Sequence, residues 1–256
     1  MNQELRERPR TSPATSNRNF CVTLARRTDE VREIQALRYQ VFGGELDARV
    51  QGNIPGHDSD FFDPYCRHLL ARETESNKLV GSFRILSPGA ASRVGSYHAE
   101  NVFDIDRLRK LRPRMAEVGR CCIHPNYRSA GVSTLLWAKL VEHLLIDDQQ
   151  IMIGCASIGI ADGGRHAASV FRQIRPQQMA PIDYRVFPLH RLPFEDLADE
   201  RRVAMPPLIE EYLGAGAWVC GEPAWNSDFN TAELMLMLPL ARFTRRHNRQ
   251  ALPRSA

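Results

Sequence analysis

The chain has 256 residues, of which 43% are hydrophobic and 25% are charged, and these ordinary globular values exclude wholesale disorder and fibrous repeats. The formal net charge of +4 is modest for this length and no recognisable nucleic-acid-binding motif accompanies it, so nucleic acid is not an expected partner. The longest apolar run, at residues 232–240, is about half as long as a membrane-spanning helix requires.

A single domain is predicted, because this length lies near the upper limit for one hydrophobic core. We place the domain at residues 20–241. Residues 1–19 are polar and lack the apolar segment of a secretory signal, and residues 242–256 are basic; both ends are expected to be flexible. The six cysteines lack the CxxC spacing of zinc or redox sites, so reduced and mostly buried thiols are expected. These features predict a soluble, cytoplasmic protein whose contact with a membrane is peripheral at most.

The first half of the domain is predicted in the order strand, helix, two strands, helix, strand. Asp29 is expected to cap the first helix, whose apolar stripe runs from Val31 to Val41. A loop at residues 43–64 is too long for a simple connection, and loops of this length are often functional. The elements are expected at residues 20–25, 29–42, 67–73, 78–86, 104–111 and 116–123.

The second half begins with a strong helical signal. Ser129 is expected to cap this helix, which has apolar residues spaced for one buried face from Val132 to Leu144. A buried strand and another helix follow, and beyond Pro176 the pattern weakens into a C-terminal extension. These later elements are expected at residues 151–158, 166–173, 206–213, 218–220 and 233–238. The order as a whole predicts a mixed α/β fold.

A loop joins the strand ending at residue 123 to the helix, within CIHPNYRSAGVSTLLW at residues 122–137. Backbone N–H groups at a helix N-terminus are unpaired and carry the positive end of the helix dipole, so an anion is favoured there. Gly131 would let a phosphate approach the backbone closely. The alternative is a capped turn that binds no ligand. The candidate phosphate-binding residues are Cys122, Ile123, Arg128, Ser129, Ala130, Gly131, Val132 and Ser133.

This loop resembles the pyrophosphate-binding motif of the GNAT acyltransferases, in which Arg or Gln is followed by two residues, Gly, one residue, and Gly or Ala. Arg128 and Gly131 match that pattern, whereas Ser133 replaces the final Gly or Ala. The resemblance implies the GNAT fold, a central twisted mixed sheet flanked by helices. It also implies that a pantetheine thioester binds at the loop as the acyl donor, with no further cofactor and no metal.

A second set of residues is similar to the signature of the acyl-homoserine-lactone synthases, which draw acyl groups from acyl carrier protein. The strings RYQVF, DFFD, GSFRIL, ENVF and EVGR occur here in the same order. A tryptophan that this family carries after its first motif is absent, because Glu45, Leu46 and Asp47 occupy that region. The matching residues are Arg38, Phe42, Asp60, Asp63, Arg84, Phe103, Glu117 and Arg120.

The well-preserved HPNYRSAG loop, with GCASIGI at residues 154–160 and GEPAWNSDFNTAEL at residues 221–234, resembles the bacterial ornithine N-acyltransferases that make lyso-ornithine lipid. This resemblance covers residues 38–240. It implies transfer of a 3-hydroxyacyl group from acyl carrier protein to the α-amino group of L-ornithine. The lipid product would bring the protein into peripheral contact with the inner face of the membrane.

In such a reaction Glu117 is the candidate general base, because an α-amino group with a pKa of about 8 is mainly charged at neutral pH. The alternative is a structural partner of Arg120 or Arg84. Arg120 is assigned to the catalytic pair as the residue that orients Glu117. A backbone N–H on the strand near Cys121 or Cys122, which is bulged in this fold, is expected to stabilise the oxyanion. GNAT enzymes often protonate the leaving thiolate with a tyrosine, and Phe171 occupies the nearest comparable position here.

The carboxylate of ornithine is expected to bind Arg38 and Arg84, and its second ammonium to bind Asp60 and Asp63. Solvated loop acids are the alternative for both aspartates. The predicted substrate-binding set also includes Phe42 and Phe103 through the family resemblance.

The stretch HDSDFFDPYCRH at residues 57–68 also suggests a metal site, but its spacing fits neither a calcium loop nor a zinc-bearing helix. The acidic carrier protein is expected to meet an arginine-rich surface. Its candidate residues are Arg109, Lys110, Arg112, Arg114, Arg128 and Arg165.

Three other functions share the same predicted core. A lactone synthase would consume S-adenosylmethionine, and an N-acetyltransferase would use acetyl-CoA without a carrier protein. A catalytically silent sensor would bind acyl thioesters without turning them over. The missing tryptophan argues against the first function, and the acidic and arginine signature argues against the second.

Overall fold

The computed structural model describes residues 19–45, 52, 54–197, 202–227 and 229–243. Eight strands in this part of the chain form one sheet in the order β1-β2-β3-β5-β6-β10-β8, with β9 paired to β10, while β4 and β7 form a separate pair. The strands are β1 (Phe20–Leu24), β2 (Arg67–Glu73), β3 (Leu79–Leu86), β4 (Phe103–Asp104), β5 (Met115–Ile123), β6 (Ile151–Gly159), β7 (Phe187–Pro188), β8 (Trp218–Val219), β9 (Ala224–Asn226) and β10 (Thr231–Pro239).

Helices and short 3₁₀ turns connect these strands. The α-helices are α1 (Thr28–Glu45), α2 (Pro88–Val94), α3 (Val132–Ile146), α4 (Arg165–Arg172), α5 (Phe194–Leu197) and α6 (Pro207–Ala215). The 3₁₀ turns are Asp63–Tyr65, His98–Asn101, Asp106–Arg114, Pro125–Ala130, Pro176–Gln178 and Ile182–Tyr184. The mixed α/β class predicted from the sequence is therefore confirmed.

One strand pair differs from its neighbours in the main sheet, because β5 and β6 run parallel whereas the other pairs are antiparallel. Their pairing joins only residues 115–117 to residues 151–153, and the strands separate beyond that point. β5 also bulges, since Arg120 and Cys121 stand opposite the single residue Phe83 of β3. The sheet thus opens in its middle, next to a bulge.

One face of the sheet is covered by α3, α4 and α6, which share the largest apolar cluster with the strands. The Trp137 ring of α3 lies 5.7 Å from the Phe83 ring and 4.7 Å from the Tyr212 ring of α6. These edge-on contacts fix α3 and α6 to each other and to the sheet. The buried side chains of α3 are Val132, Leu136, Trp137, Leu140, Val141 and Leu144, as their helical spacing predicts.

The opposite face carries two separate apolar clusters. α1 packs Ile34, Leu37 and Val41 against one half of the sheet. α2 and the turn His98–Asn101 contribute to a second cluster over the other half, together with Phe103 of β4. Ser82, Arg84 and Leu86 alternate onto one face of β3, and Leu86 pairs with Glu117 of β5. Glu117 therefore lies on the same side of the sheet as the space between the two clusters.

Two predicted helix caps are wrong. Asp29 lies inside α1 and pairs with Arg27, while Glu30 accepts the backbone N–H groups that precede the helix. Ser129 lies in a 3₁₀ turn, and α3 begins after Gly131, whose φ is 79°. Glycine adopts this left-handed conformation without a steric penalty, so it, and not a serine, starts the helix.

Other boundaries differ in smaller ways. α1 extends to Glu45, so the expected loop begins later than predicted, and Leu46 and Asp47 lie outside the described residues. The leader and tail also fall there, except residues 19, 242 and 243. α2 was not predicted, although Ser87 caps the helix and Pro88 opens it. In the part of the chain that is described, no helix has both the length and the apolarity to cross a membrane.

Candidate active site

A cavity of about 150 Å³ opens where β5 and β6 separate. α1 contributes Phe42 to its wall, and the 3₁₀ turn after α2 contributes His98. Glu117 and residues 118–121 of β5 line the cavity, as do Cys155 and Ser157 of β6. The RYQVF and EVGR motifs, which are far apart in the chain, therefore meet at the opening of the sheet.

A buried ion-pair network borders this cavity and begins at Arg38. The side chain of Arg38 is fully buried, with Nε 2.9 Å from Oδ2 of Asp58 and Nη1 3.0 Å from Oδ1 of Asp63. The Nη2 of Arg38 also lies 2.5 Å from Oδ2 of Asp63 and donates to the backbone carbonyl of Asp58 at 2.6 Å. α1 is thereby tied to the loop that precedes β2.

Arg84 and Arg120 extend the network to the sheet. Nη1 of Arg84 lies 2.6 Å from each carboxylate oxygen of Asp60 and 2.8 Å from Oδ1 of Asp63. Nη2 of Arg120 lies 2.7 Å from Oδ1 of Asp58. Three arginines and three aspartates are thus joined, so the formal charge of the network is balanced.

Arg120 reaches the network from an unusual backbone conformation at the bulge, with φ of 52°. Its guanidinium lies 5.5 Å from the centre of the Phe42 ring and 5.3 Å from that of Phe229. A non-glycine residue in this conformation carries strain, which the ion pair and the two aromatic faces offset. Arg120 pairs with Asp58 and makes no ion pair with Glu117 in the described structure, so it does not orient Glu117 by direct contact.

The pairing changes the roles expected for several substrate-binding candidates. Arg38 and Asp63 bind each other and do not line the cavity, and Phe103 is buried in the apolar cluster beside it. Burial opposes ionisation of Asp63, but hydrogen bonds and charges from Arg38 and Arg84 outweigh it and hold the pKa of Asp63 well below its usual range. Asp63 is therefore a permanent anion that is already neutralised. Because Asp63 is buried, its alternative interpretation as a solvated loop acid is wrong.

Glu117 stands apart from the network. Its side chain is buried and accepts two backbone hydrogen bonds, from the N–H of His98 at 2.6 Å and from that of Ala99 at 2.9 Å. No cationic group of the described residues forms an ion pair with it, including Arg84 and Arg120. Burial raises the pKa of Glu117 to about 7, against the opposing charge of Arg84 and the two backbone donors. A carboxyl with this pKa can accept a proton at neutral pH.

The histidine and the thiols on the cavity wall are poor bases or nucleophiles. Burial, followed by the charge of Arg84, lowers the pKa of His98 to about 4. Burial raises the pKa of the Cys66 thiol to about 12 and raises those of Cys121 and Cys155 as well. All six cysteines are free: Cys122 and Cys220 are fully buried, Cys66, Cys121 and Cys155 are half-buried, and Cys21 is exposed, so the expectation of mostly buried thiols holds in part.

The candidate phosphate loop has the predicted strand-turn-helix form. β5 ends at Ile123, the 3₁₀ turn Pro125–Ala130 follows, and Gly131 precedes α3. Cys122 and Val132 are buried, whereas Arg128, Ser129 and Gly131 are exposed at the loop. The hydroxyl of Ser133 donates to Glu211 of α6 at 2.6 Å, and the Trp137 indole donates to the same carboxylate at 2.8 Å. Ser133 thus holds α6 against the helix N-terminus.

A tyrosine of α6 lies near the opening of the sheet. A Cβ atom added to Gly154 of β6 would lie 2.5 Å from the carbonyl oxygen of Val118 and 2.8 Å from the Tyr212 hydroxyl. Glycine is therefore needed for this close approach. Phe171, the residue that the sequence analysis placed near the leaving thiolate, instead packs on Phe194 at 4.7 Å between ring centres.

The expected carrier-binding residues fall at two places. Arg109, Lys110, Arg112 and Arg114 belong to the turn before β5, at the opposite end of that strand from the phosphate loop. β5 spans nine residues, roughly 30 Å, so this group is far from the loop. Arg128 and Arg165 are exposed. Both lie at the loop end of the sheet, because α4, which carries Arg165, follows β6, and β6 runs parallel to β5.

The residues of the cavity wall that sequence analysis did not predict include Asp58 as an ion-pair partner, His98, and Glu233 of β10. Glu233 had a readable signal, since it is a lone charge within an otherwise apolar strand. His98 had none, because its backbone N–H, not its ring, contacts Glu117. No group of metal-binding side chains occurs among the described residues.

The chain is similar in sequence to a known domain family and to known proteins. Residues 37–138 match the acetyltransferase (GNAT) domain family. The chain is 30% identical over 243 residues to the L-ornithine N(alpha)-acyltransferase of Brucella abortus, covering 88% of this chain and 86% of that protein. It is 29% identical over 245 residues to the protein of the same name from Rhodobacter capsulatus, covering 90% and 93% of the two chains.

Solved structures agree on the fold. An N-acyl amino acid synthase from uncultured soil microbes superposes with a TM-score of 0.54 at 10% identity, covering 92% of this chain and 99% of that one. A CoA-dependent acyl-homoserine lactone synthase gives a TM-score of 0.54 at 14% identity, covering 92% and 91%. At these identities the likeness establishes the fold alone, and it confirms the predicted GNAT architecture.

The buried network predicts a large loss of stability when one partner is removed. Asp63→Asn would leave the Arg38 guanidinium without its bidentate partner, so we expect the free energy of unfolding to fall by about 3–5 kcal/mol. Urea denaturation followed by tryptophan fluorescence measures this loss. The matched control is Glu142→Gln, which breaks an exposed pair with Lys139 and should leave the stability nearly unchanged. Equal effects of the two substitutions would contradict the assigned role of the network.

Proposed function

The chain belongs to the L-ornithine N(alpha)-acyltransferase family, and from this premise we propose that it transfers an acyl group from a thioester to the α-amino group of L-ornithine. The observation that carries the proposal is Glu117, a buried carboxyl that faces the cavity without an ion-pair partner among the described residues and has a pKa raised by burial to about 7. A group of this kind can deprotonate an ammonium at neutral pH.

Glu117 supports the reaction as follows. The ammonium of ornithine gives a proton to Glu117, directly or through a water, and the free amine attacks the thioester carbonyl carbon. A C–N bond forms, the tetrahedral intermediate collapses, and the C–S bond breaks to release the thiolate. The proton that the nitrogen loses on forming the amide neutralises that thiolate, so the products are an N-acyl amino acid and a free thiol.

The bulge in β5 supports stabilisation of the oxyanion. Arg120 and Cys121 stand opposite one residue of β3, so a backbone N–H at this point is freed from regular strand pairing. We assign the oxyanion to a backbone N–H at Cys121 or Cys122, in agreement with the sequence analysis. No side chain needs to move for this interaction.

Direct transfer to the amine is favoured over an acyl-enzyme intermediate. The cavity thiols of Cys66, Cys121 and Cys155 have pKa values raised by burial, and a protonated thiol is a weak nucleophile. His98 has a pKa lowered to about 4 and is therefore too weakly basic to activate them. The amine itself is the nucleophile in this proposal.

Two arginines on the cavity wall are available for the α-carboxylate of ornithine. Arg84 and Arg120 both line the cavity, and Nε of Arg120 is buried without a hydrogen-bond partner in the described structure. An unsatisfied guanidinium N–H is a costly group that a carboxylate would satisfy. We therefore move the carboxylate from the predicted pair Arg38 and Arg84 to Arg84 and Arg120.

The donor is proposed to be acyl carrier protein bearing a 3-hydroxyacyl group. Its phosphopantetheine arm would enter the gap between β5 and β6, with the phosphate at the N-terminus of α3. Arg128 and Arg165 are exposed at this end of the sheet and suit an acidic carrier. We propose that the reaction takes place in the cytoplasm, where release of a single-chain lipid would bring the protein to the membrane surface.

Product analysis tests the proposal directly. Purified protein is incubated with 3-hydroxyacyl carrier protein or the same acyl group on CoA, together with a panel of amino acids, and lipid-soluble products are analysed by mass spectrometry. N-acyl ornithine should dominate, and the carrier protein should be the better donor. Donor binding without any N-acyl product would overturn the proposal and favour a thioester sensor. A product formed from acetyl-CoA or S-adenosylmethionine would support the corresponding relative instead.

The pH profile tests the assignment of Glu117. A base acts in its deprotonated form, so kcat/KM should rise with pH through a limb near 7. Glu117→Gln should lower kcat/KM by about 10²- to 10⁴-fold, abolish the limb near 7, and preserve donor binding. Glu142→Gln serves as the surface control. A variant that keeps the limb near 7 would show that another group is the base.

A further inference from the structure

Glu233 is a second carboxyl on the cavity wall that the mechanism above leaves unused. It lies in β10, a strand in which residues 231–238 are buried, and the exposed fraction of Glu233 is 4%. Its neighbours along the strand are Ala232 and Leu234. A charged side chain at such a position is costly unless it is matched by a partner.

The partners present are hydrogen-bond donors without charge. The Ser157 hydroxyl lies 2.9 Å from each carboxylate oxygen of Glu233, and the Thr231 hydroxyl donates at 2.8 Å. The Asn226 side chain adds another hydrogen bond. No Arg, Lys or His in the described chain forms an ion pair with Glu233; Arg120 acts on it only through its more distant charge. The carboxyl is therefore held in a fixed orientation with its charge unmatched.

The sheet places Glu233 and Glu117 at two ends of one cavity. Glu117 pairs in register with Ile153 of β6, and Glu233 pairs with Ser157 of the same strand. Because these two β6 residues are four apart, both glutamates point to the same face of the sheet. Cys155 lies between them, and its pKa is raised, after burial, by the charges of both glutamates.

This arrangement matches the charges of an α,ω-diamino acid. Such a ligand carries two amines, one carboxylate and a short flexible chain, and the cavity offers two carboxyl groups without ion pairs and an arginine with a free N–H. The three aspartates of the network are unsuitable for either amine, since Arg38, Arg84 and Arg120 already neutralise them.

We propose that Glu233 binds the side-chain ammonium of ornithine and is the residue that selects a diamino acid, while Glu117 faces the α-amino group. The inference rests on the proposed function and goes beyond it by naming the specificity-determining residue. Ser157 and Thr231 are positioning residues, because they hold the carboxylate of Glu233 toward the cavity. The predicted ammonium site at Asp60 and Asp63 is thereby replaced.

A comparison of two acceptors tests this inference. Norvaline has the same carbon skeleton as ornithine but lacks the side-chain amine. The ratio of kcat/KM for ornithine to kcat/KM for norvaline is measured in the wild type and in Glu233→Gln, with the same acyl carrier protein donor. We expect the ratio to fall by about 10- to 100-fold in the variant, as for loss of a charged hydrogen bond.

A second variant keeps the charge and changes only its position. Glu233→Asp withdraws the carboxylate by one methylene, so it should raise the preference for lysine, which is one methylene longer, relative to ornithine. Thr231→Val tests the positioning role, because it removes one donor to Glu233 while preserving shape and the carboxylate itself, and Glu142→Gln on the surface is the control. Thr231→Val should retain more of the ornithine preference than Glu233→Gln does.

The outcomes separate the two proposals. If the wild type makes no N-acyl ornithine, the proposed function fails and the role of Glu233 fails with it. If the wild type acylates ornithine but Glu233→Gln and Glu233→Asp both keep the wild-type ratios among ornithine, norvaline and lysine, only the role of Glu233 is overturned. A purely structural Glu233 would lower stability without moving these ratios.

Discussion

The buried pairing of Arg38, Arg84 and Arg120 with three aspartates is the interaction on which the site depends. It connects α1, the loop before β2, β3 and β5 through ion pairs. Buried charges are tolerated only when they are paired and hydrogen-bonded. Because the network is balanced, it holds the cavity wall in place without a net charge of its own.

The charge balance of the network also determines the chemistry of the two carboxyls that lie outside it, those of Glu117 and Glu233. The arginines pair with aspartates and not with Glu117 or Glu233, so these two carboxyls have only uncharged donors at hydrogen-bond distance within the described structure. Burial raises the pKa of both, whereas the pKa of Asp63 is held low despite its burial by the charges it contacts. One site thus contains Asp63, an anion that maintains structure, together with two carboxyls on the cavity wall whose pKa values are raised by burial.

Much of this arrangement could be predicted from the sequence. Local apolar patterns predict the strand that carries Glu117 and the helix that follows it. The loop between them resembles the GNAT pyrophosphate-binding motif, and this resemblance indicates the fold. The ion pairs of the network were not predictable from the sequence. Arg38 and Asp63 are 25 residues apart, and no local pattern shows that they bind each other instead of a substrate. The partners of Glu117 were also hidden, since backbone N–H groups leave no trace in residue type. Glu233 was detectable as a lone acid in an apolar strand, but its partners come from another strand.

The most direct test of this account is the ionisation of Glu117 in the free protein. Carbon-13 labelling of glutamate carboxyls, with an NMR titration of the wild type and Glu117→Gln, isolates the resonance that the substitution removes. The account predicts that this carboxyl titrates near pH 7, because burial without an ion pair disfavours its charged form. Titration near pH 4.5 or below would contradict it, since Glu117 would then be a fully ionised structural acid with little capacity to take a proton from the substrate amine.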